Sequence, residues 1–296
     1  MHRYIQKKIL ISILLFSGMA FCQDIRVCVN KYRNNFITID IENYLIGVIS
    51  KEMDCGWPEE ALKAQAVVSR TFAVYMANES RKKGLPYDIE NSIFHQVYET
   101  SNCEKIERAV KETEGEILTY KGNIVQVFFH AACGGKTAKT SDVWGGYYRH
   151  ISSVEDPYCM DTPYSLWEKS LSQDKLSKIF GVSSIEKIVI EGKDNTGRVT
   201  SLKITGKDDK IIHLTGHRFR MMVNQGKDVY FNNPEIIPST NFIVQKKNNL
   251  FIFRGSGYGH GVGMCQWGAR RMAEHGFNYK DILNHYFPEM ELSKTE

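Results

Sequence analysis

The chain of 296 residues is long enough for one large domain or two modest ones, and its 42% hydrophobic and 24% charged content is ordinary for a globular protein. The net charge of +4 is mild for this length. Because no basic stripe is interleaved with aromatic residues, the sequence gives no indication of a nucleic-acid partner.

The first 22 residues have the layout of a secretory signal sequence. The basic segment MHRYIQKK precedes a largely apolar run at residues 9–16, which is short for a membrane span. Small residues allow cleavage after Ala20 or Cys22, and retention as an N-terminal anchor is the alternative. We therefore expect export across the cytoplasmic membrane, to the periplasm or the cell-wall side.

Two strand-like runs, IRVCV and FITID, are followed by a pair of helices that are joined by a tight break. Asp40 is a suitable N-cap for the first helix, and Leu45, Val48 and Ile49 form its apolar face. Glu52 ends the same face. Apolar neighbours and the negative end of the helix dipole would both raise its pKa, and a carboxyl group that stays protonated near neutral pH can act as a general acid.

The second helix is predicted to begin near Pro58 and to stop at Gly84. Lys63 and Arg70 lie seven residues apart on one face, from which we expect them to point into the same cleft as Glu52. On the residues alone, the simpler interpretation is a surface glutamate and a solvated arginine. The buried face is predicted to contain Leu62, Ala66, Ser69, Ala73 and Met76.

A long ordered loop at residues 86–98 carries polar and aromatic groups of the kind that line carbohydrate clefts, namely His95, Gln96 and Tyr98. A short helix at residues 102–113 follows. The segment GEILTYKGNIVQVFFHA is then predicted to form a hairpin whose second strand delivers His130.

Seven cysteines in an exported chain usually indicate disulfides, although spacing alone does not reveal their pairing. Cys133 lies in a glycine turn after the hairpin, and a bond to Cys159 would close the segment between them. The alternative is a zinc site made of His130, Cys133 and Cys159, which lacks the usual paired spacing. We predict the disulfide and no metal or other cofactor, with zinc as the alternative.

The stretch from residue 165 to 255 predicts a helix at LSQDKLSKIF, a β-meander with turns at DNTG and GKDD, a short helix at HRFRMMVNQG and a hairpin with an NN turn. The β-rich subregion is placed at about 185–240. Because helices and antiparallel strands are mixed without a regular βαβ alternation, the predicted fold class is α+β, with its hairpins and meander around a substrate groove.

Glycine occupies every second position from residue 255 to 263 in GSGYGHGVGMCQWGARRMAEHG. An extended conformation would leave one face bare, so that backbone or a sugar ring can approach, and would place Tyr258 and His260 on the other face. The pattern is neither a dinucleotide-binding fingerprint nor a P-loop. A helix from about Cys265 to His275 is predicted to follow.

Three motifs in combination, KEM…WPEEALKAQAVVSRTFA, HAACGGKT with VWGG downstream, and GYGHGVGMCQWGA, resemble the SpoIID/LytB family of peptidoglycan lytic transglycosylases. The resemblance covers roughly residues 25–287 and implies one catalytic domain at 23–290. Glu52 matches the catalytic glutamate of the family. Further matches to groove or signature positions are Lys63, Arg70, His95, Gln96, Tyr98, His130, Tyr258, His260, Gln266 and Trp267.

The resemblance implies that Glu52 acts as the single acid and base in cleaving the bond between N-acetylmuramic acid and N-acetylglucosamine, with a 1,6-anhydro ring as product. The implied partners are glycan strands, stripped of stem peptides, and a cell-wall amidase or another wall-remodelling protein. Two alternatives remain: a hydrolase on the same substrate, which needs a second carboxylate, and a non-catalytic wall-binding protein or amidase enhancer. Sporulation, division and wall turnover are not distinguished.

Overall fold

The computed structural model describes residues 24–30, 35–92, 95–226 and 232–295. The predicted signal sequence, including Cys22, therefore lies outside the described residues. Within the described ranges, no helix combines the length and the apolar character that crossing a membrane requires.

Helices and short strands alternate irregularly along the chain and form five small sheets in its described part, which confirms the α+β class. The helices are α1 (Ile41–Glu52), α2 (Glu59–Lys82), α3 (Glu104–Glu112), α4 (Thr140–Trp144), α5 (Gln173–Phe180), α6 (Gly216–Asn224), α7 (Gln266–Glu274) and α8 (Tyr279–Tyr286). The strands are β1 (Asp24–Asn30), β2 (Asn35–Asp40), β3 (Ile89–Glu90), β4 (Glu116–Tyr120), β5 (Asn123–Ile124), β6 (Phe129–His130), β7 (Trp167–Ser172), β8 (Ile185–Lys193), β9 (Val199–Gly206), β10 (Ile211–Thr215), β11 (Phe242–Lys247), β12 (Leu250–Gly255), β13 (Met264–Cys265) and β14 (Glu291–Lys294).

The predicted helical pair is confirmed by α1 and α2. Asp40 caps α1 by accepting a 3.0 Å hydrogen bond from the amide of Asn43. Pro58 precedes α2, and Gly84, at φ +67°, follows its C-terminal end. Helix α2 is buried well beyond the predicted face because α1, α3, α7, α8 and β4 all pack on it. It is the central helix of the molecule.

Arg70 is the polar centre of this packing. Its fully buried guanidinium donates to both carboxylate oxygens of Glu42 in α1, over 2.8 and 2.5 Å, and to the carbonyls of Val110 and Glu116. A bidentate pair of this kind fixes orientation as well as charge. Arg70 is fully buried and serves as an internal cross-link, so the predicted substrate contact is not supported by its position.

Two hydrophobic cores divide the described part of the chain. The first surrounds α2 and includes α1, α3, α7 and α8. The second runs from Trp167 to Phe253 and is built from two three-stranded antiparallel sheets, β10-β9-β8 and β11-β12-β7, with α5 and α6. The β-rich subregion is thus wider than the predicted 185–240, because the strands at both of its ends share one core.

The predicted hairpin before Cys133 is only partly formed. β4 pairs antiparallel with just two residues of β5, and β14 from the C-terminus occupies its other edge. The chain then leaves that sheet, and β6 pairs in parallel with β13, which places His130 opposite Cys265. The prediction missed this switch because both strands of the second pair are only two residues long.

The glycine-rich segment is not extended as predicted. Gly257, Gly259, Gly261 and Gly263 all have positive φ, between +75° and +101°. A Cβ at Gly263 would lie 2.0 Å from the carbonyl oxygen of Phe128, and one at Gly261 would lie 2.5 Å from the guanidinium of Arg198. The space beside these glycines is therefore occupied by the backbone of Phe128 and by the side chain of Arg198, and not by a sugar ring.

The disulfide prediction is also wrong in its pairing. Cys133 and Cys159 are free thiols, and the disulfide joins Cys55 to Cys103, with their Cα atoms 6.1 Å apart. Cys55 lies in the break after α1, and Cys103 is the N-cap of α3. On the chain-entropy account, a disulfide between residues 48 positions apart raises the free energy of the unfolded chain by about 4 kcal/mol. Sequence spacing did not indicate this pairing.

Replacing Arg70 by Met should lower the free energy of unfolding by about 3–5 kcal/mol, because it leaves the mostly buried carboxylate of Glu42 without its partner. Urea denaturation of the wild type and R70M measures the change. Arg108→Met is the matched control, since that arginine makes an exposed pair with Glu59, and it should shift the midpoint little. Unchanged stability with weakened glycan binding in R70M would restore the substrate-binding role.

Candidate active site

Glu52 is the last residue of α1 and lies on its buried side. Leu45, Val48 and Ile49 precede it on the same face, and each is fully buried. The side chain of Glu52 itself is half-buried. The helix therefore delivers one carboxyl group to the boundary between the first core and solvent.

The electrostatics of this position favour the protonated acid. Burial raises the pKa of Glu52, and the hydrogen bond from Gln266 opposes part of that rise. The Nε2 of Gln266 donates to Oε2 of Glu52 over 3.1 Å. Nearby, burial and the charge of Glu52 both raise the pKa of Tyr44, so this phenol stays neutral. A carboxyl group with a raised pKa can protonate a leaving oxygen near neutral pH.

Gln266 comes from the opposite end of the chain. It is the first residue of α7 and is buried. Its neighbour Trp267 donates its backbone amide to the carbonyl of Ala131 over 3.0 Å, which ties the start of α7 to the segment after β6. The C-terminal signature thus reaches Glu52 directly, and Gln266 positions the acid.

Aromatic rings gather around Trp267, the residue that follows Gln266. Trp57, which follows the break after α1, packs edge-on against Trp267 with ring centroids 5.3 Å apart, and Tyr164 packs against Trp267 at 5.7 Å. Tyr258 continues the group at 5.3 Å from Tyr164. The guanidinium of Arg270 lies 4.7 Å from the Trp267 ring. We call these five residues the aromatic group; it combines flat apolar faces with one positive charge.

Sequence reasoning found Tyr258 and Trp267 but missed Trp57, Tyr164 and Arg270. Trp57 stands in the segment WPEE next to a helix start, a context that signals a helix boundary rather than a site. Tyr164 and Arg270 carry no local signal, because they reach the group only through tertiary packing.

Gln96 and Tyr98 both support α1 through its residue Tyr44. Gln96 is buried, accepts from the hydroxyl of Tyr44 over 3.1 Å and donates to the carbonyl of Ser69. Tyr98 stacks on Tyr44 with centroids 5.5 Å apart. Gly47 permits this contact, since a Cβ there would lie 2.5 Å from the ring of Tyr98. These residues orient the helix that carries Glu52.

His95 and Lys63 have other protein partners. His95 accepts from the amide of Glu90 through Nδ1 over 2.9 Å. Lys63 forms ion pairs with Glu60 at 3.0 Å and Glu112 at 2.6 Å. Burial alone would lower its pKa, but its hydrogen bonds to Glu112 and Glu60 outweigh that effect and raise it. The structure therefore gives Lys63 a role in joining α2 to α3, and the predicted substrate contact is not supported.

His130, which is buried, and His260, which is half-buried, form a separate pair with ring centroids 5.6 Å apart. Burial and the charge of Arg198 lower the pKa of His130 to about 3, and burial with His130 nearby lowers that of His260 well below its usual range. His260 accepts from the amide of Val262 through Nδ1 over 3.0 Å. Trp144, from the VWGG motif, packs 5.1 Å from His260. Both shifts favour the neutral imidazole.

A surface cavity of about 690 Å³ adjoins another face of α1. Asp40, Asn43, Gly47 and Tyr98 are part of its lining, whereas Glu52 is not. The raised pKa and the converging Gln266 favour Glu52 as the site rather than this cavity. We take the chemistry as the better guide.

A second group of chemically reactive residues lies behind the start of α7. Cys133, Asp156, Cys159 and Cys265 are all buried, and their ligand atoms lie within 4.8 Å of one another. His130, which the sequence placed in a zinc site with two of these cysteines, is not part of the group. Asp156 was missed, because the sequence SSVEDPYC carries no metal-binding spacing.

Comparison with known proteins agrees with these motifs. The SpoIID family profile, described as stage II sporulation protein, matches residues 30–120, which include α1 and α2. A domain of unknown function, DUF8618, matches residues 164–263, which contain the second core.

Similar proteins span most of this chain. An uncharacterised protein of Brachyspira hyodysenteriae is 37% identical over 86% of this chain and 67% of its own length. A stage II sporulation protein D of Bacillus amyloliquefaciens is 28% identical over 87% of this chain and 75% of its own. An amidase enhancer of Bacillus subtilis is 27% identical over 84% of this chain but only 40% of its own length. From these matches, the motifs and the profile, the chain belongs to the SpoIID family.

Proposed function

We propose that this protein is a peptidoglycan lytic transglycosylase in which Glu52 is the only catalytic carboxyl group. The observation that carries the proposal is the half-buried acid at the end of α1, with its raised pKa and its hydrogen bond from Gln266. Family membership supports a function in the cell wall, since the relatives include proteins named for sporulation and for enhancing an amidase.

Glu52 begins the reaction as an acid. Its proton passes to the oxygen that links N-acetylmuramic acid to N-acetylglucosamine, and the bond from that oxygen to C1 breaks. The 6-hydroxyl of the same muramic acid attacks C1, and its proton returns to the carboxylate. One glycosidic bond is exchanged for an internal one between C1 and O6, no water is consumed, and Glu52 is regenerated.

A single carboxyl group suffices for this cycle, whereas ordinary glycosidases need two. The neighbouring acid Asp54 is exposed and accepts from the amide of Gly56 over 2.7 Å, which shapes the turn after α1. A role as second catalytic carboxylate has no support from these contacts. The half-buried site also limits access of water, which favours the internal 6-hydroxyl as the nucleophile.

Substrate binding is assigned to the aromatic group around Trp267. Flat aromatic faces suit sugar rings, and Arg270 supplies a positive charge for the lactyl carboxylate that is exposed when stem peptides are absent. Stripped glycan strands are therefore the proposed substrate. The protein would meet them after export, as the N-terminal segment predicts, and a cell-wall amidase that removes stem peptides is the expected partner.

A non-catalytic role is the second candidate, favoured by the similarity to a protein named amidase enhancer. In that case the chain would bind glycan and act through another enzyme. The buried acid would then be unnecessary, so replacing it would not change the function.

Glu52→Gln should abolish anhydro-ended products from purified, peptide-free glycan strands, because the amide cannot transfer the proton. The amide oxygen can still accept from Gln266, so folding and glycan binding should be retained. Mass spectrometry of the products tests this: an anhydro end is lighter than a reducing end by one water. Asp54→Asn is the matched control, since an asparagine oxygen can still accept from Gly56, and it should cleave like the wild type.

Each other outcome assigns a different function. Reducing-end products, with activity lost in D54N, would identify a two-carboxylate hydrolase. Equal glycan binding by wild type and E52Q, with no products from either in the presence or absence of stem peptides, would favour the non-catalytic role.

Gln266→Met should raise the pKa of Glu52, because it removes the one hydrogen bond found to lower it. A hydrogen bond to a charged group contributes about 1.5–3 kcal/mol, which corresponds to about one to two pH units. The alkaline limb of kcat should therefore move to higher pH by about one unit. Gln245→Met, on the exposed face of β11, should leave the profile unchanged. A lower kcat with no shift would show that Gln266 has only a packing role.

Glu52→Gln should also stabilise the fold, in a pH-dependent manner. The folded-state pKa is raised above the unfolded value, so ionised Glu52 destabilises the folded state as pH rises above about 4.5, the unperturbed value. The melting temperature of E52Q should exceed that of the wild type at pH 8, and the difference should shrink towards pH 4. A difference independent of pH would contradict the burial argument.

A further inference from the structure

Arg198 is a buried cation at the junction of the two hydrophobic cores. It lies directly before β9 of the second core, and only 1% of its surface is exposed. Its Nη2 donates to the carbonyl of Cys133 in the first core over 2.7 Å, whereas Nε and Nη1 are buried without a hydrogen-bond partner. A buried charge is costly unless it is paired and hydrogen-bonded. One carbonyl is therefore too little to satisfy this guanidinium.

The neighbouring acidic and thiol groups do not supply the missing partner. Oδ1 of Asp194 accepts from the backbone amide of Arg198 over 3.0 Å rather than from its side chain. Burial lowers the pKa of Arg198, and the nearby Cys133 and Asp194 oppose part of that fall. Neither unpartnered nitrogen bonds to a sulfur atom or to a carboxylate. Within the described part of the chain, the guanidinium thus has no bonded counter-ion.

The glycine-rich segment holds this guanidinium beside two imidazoles. Gly261 has φ +85°, and a Cβ there would lie 2.5 Å from Cζ of Arg198, so a larger residue would displace the arginine. The ring of His260, the preceding residue, lies 5.6 Å from that of His130. Nδ1 of His130 lies 3.1 Å from the carbonyl of Val262, and its Nε2 is buried without a partner. The same region therefore contains a second unpartnered side chain.

Arg220 in α6 brings a second arginine to the glycine-rich segment. Its Nε donates to the carbonyls of Ile237 and Pro238 over 3.1 and 3.0 Å, and the carbonyl of Pro238 also accepts from the amide of Gly259 over 3.0 Å. Because Nε is bound to both carbonyls, the two terminal nitrogens of this half-buried cation are available to solvent or to a ligand.

Trp144 of the VWGG motif forms the exposed side of the same region. Its ring lies 5.1 Å from that of His260 and 6.3 Å from that of His217 at the start of α6, and 38% of its surface is exposed. Both histidines are half-buried. The region thus has an aromatic entrance and a buried floor at Arg198. We call its six residues the junction site: His130, Trp144, Arg198, His217, Arg220 and His260.

The charges at the junction site have one sign. After burial, the groups that lower the pKa of His260 are all basic: His130, Arg220, Arg198 and His217. The surrounding segment is basic as well, since residues 164–263 contain 15 Lys and Arg against 9 Asp and Glu in a chain of net charge +4. Two arginines with Asp194 nearby leave about one positive charge, which suits a monoanion better than a phosphate dianion.

We propose that the junction site binds one carboxylate group, with Arg198 and Arg220 as its donors and Trp144 against the apolar body of the ligand. A carboxylate supplies both the negative charge and the acceptor atoms that a guanidinium requires. Muramic acid combines a carboxylate with a sugar ring, so the glycan strand is the proposed source, and a free small carboxylate is the alternative. The choice of source rests on the proposed function, whereas carboxylate binding does not.

A second carboxylate contact would fix the register of the glycan strand. Tyr258 of the aromatic group lies two residues before His260, so one chain segment joins the two regions. Every muramic acid of a stripped strand carries a lactyl carboxylate, and Arg270 and the junction site would then hold two of them. Only one of the two alternating glycosidic bonds could then reach Glu52.

N-acetylmuramic acid and N-acetylglucosamine are matched probes, because they differ only in the lactyl group. In NMR titrations of the full-length protein, the acid should bind at least about tenfold more tightly than the neutral sugar. Arg220→Met should remove this preference, whereas Arg218→Met, at an exposed position of the same helix, should keep it. Equal binding of both sugars by the wild type, or a preference that survives in R220M, would overturn the proposal.

Lactate, inorganic phosphate and chloride distinguish the possible sources of the anion. Lactate that binds as tightly as N-acetylmuramic acid would support the carboxylate site and overturn the glycan as its source. Phosphate or chloride that binds more tightly than either carboxylate would show an adventitious ion only, and the proposal would fail.

A second measurement uses only the wild type and so does not depend on how a variant folds. Hydrogen exchange, read by peptide mass spectrometry, should slow at residues 216–224 and 257–264 with N-acetylmuramic acid but not with N-acetylglucosamine. Unchanged exchange in both segments at a saturating concentration of the acid would contradict the site.

Failure of the junction site and failure of the proposed function give different results. Anhydro-ended products from the wild type, without carboxylate binding that depends on Arg220, would remove only the site. Carboxylate binding that depends on Arg220, without such products, would support the site and remove only the enzymatic function.

Discussion

The ion pair between Arg70 and Glu42 is the interaction on which the first core depends. Arg70 is on the central helix and is fully buried, so its charge requires a partner, and Glu42 in α1 provides it with two hydrogen bonds. The remaining donors reach the carbonyls of Val110 and Glu116. One guanidinium thereby sets the position of α1 against α2, α3 and β4, and the direction of α1 decides where Glu52 emerges.

The half-buried acid at the end of α1 also needs a partner from elsewhere, because the residues that precede it on the same helix face are apolar. Gln266 fills that need from a position 214 residues away. The amide donor keeps the acid oriented, while the desolvated surroundings keep its pKa raised. Burial of this acid thus lowers the stability of the folded protein, as is common at active sites.

Local signals predicted the helices well and the roles of polar residues poorly. Asp40, the apolar face ending in Glu52 and the stop at Gly84 all follow from rules that act within a few residues, and the structure confirms them. Arg70 was placed in a cleft because a sequence gives helix faces but not what covers them. The glycine run was predicted as extended because alternation resembles a strand, whereas positive φ at four glycines serves close backbone approach.

The sequence by itself determined the α+β class, the two helices, Glu52 as the candidate acid and the family, because periodicity, caps and motifs are written in neighbouring residues. Tertiary structure decided the rest. It paired Cys55 with Cys103, gathered three other cysteines around Asp156, and brought Gln266 to Glu52. Each of these contacts joins segments that are distant in the chain, and their geometry depends on how two cores pack rather than on any local pattern.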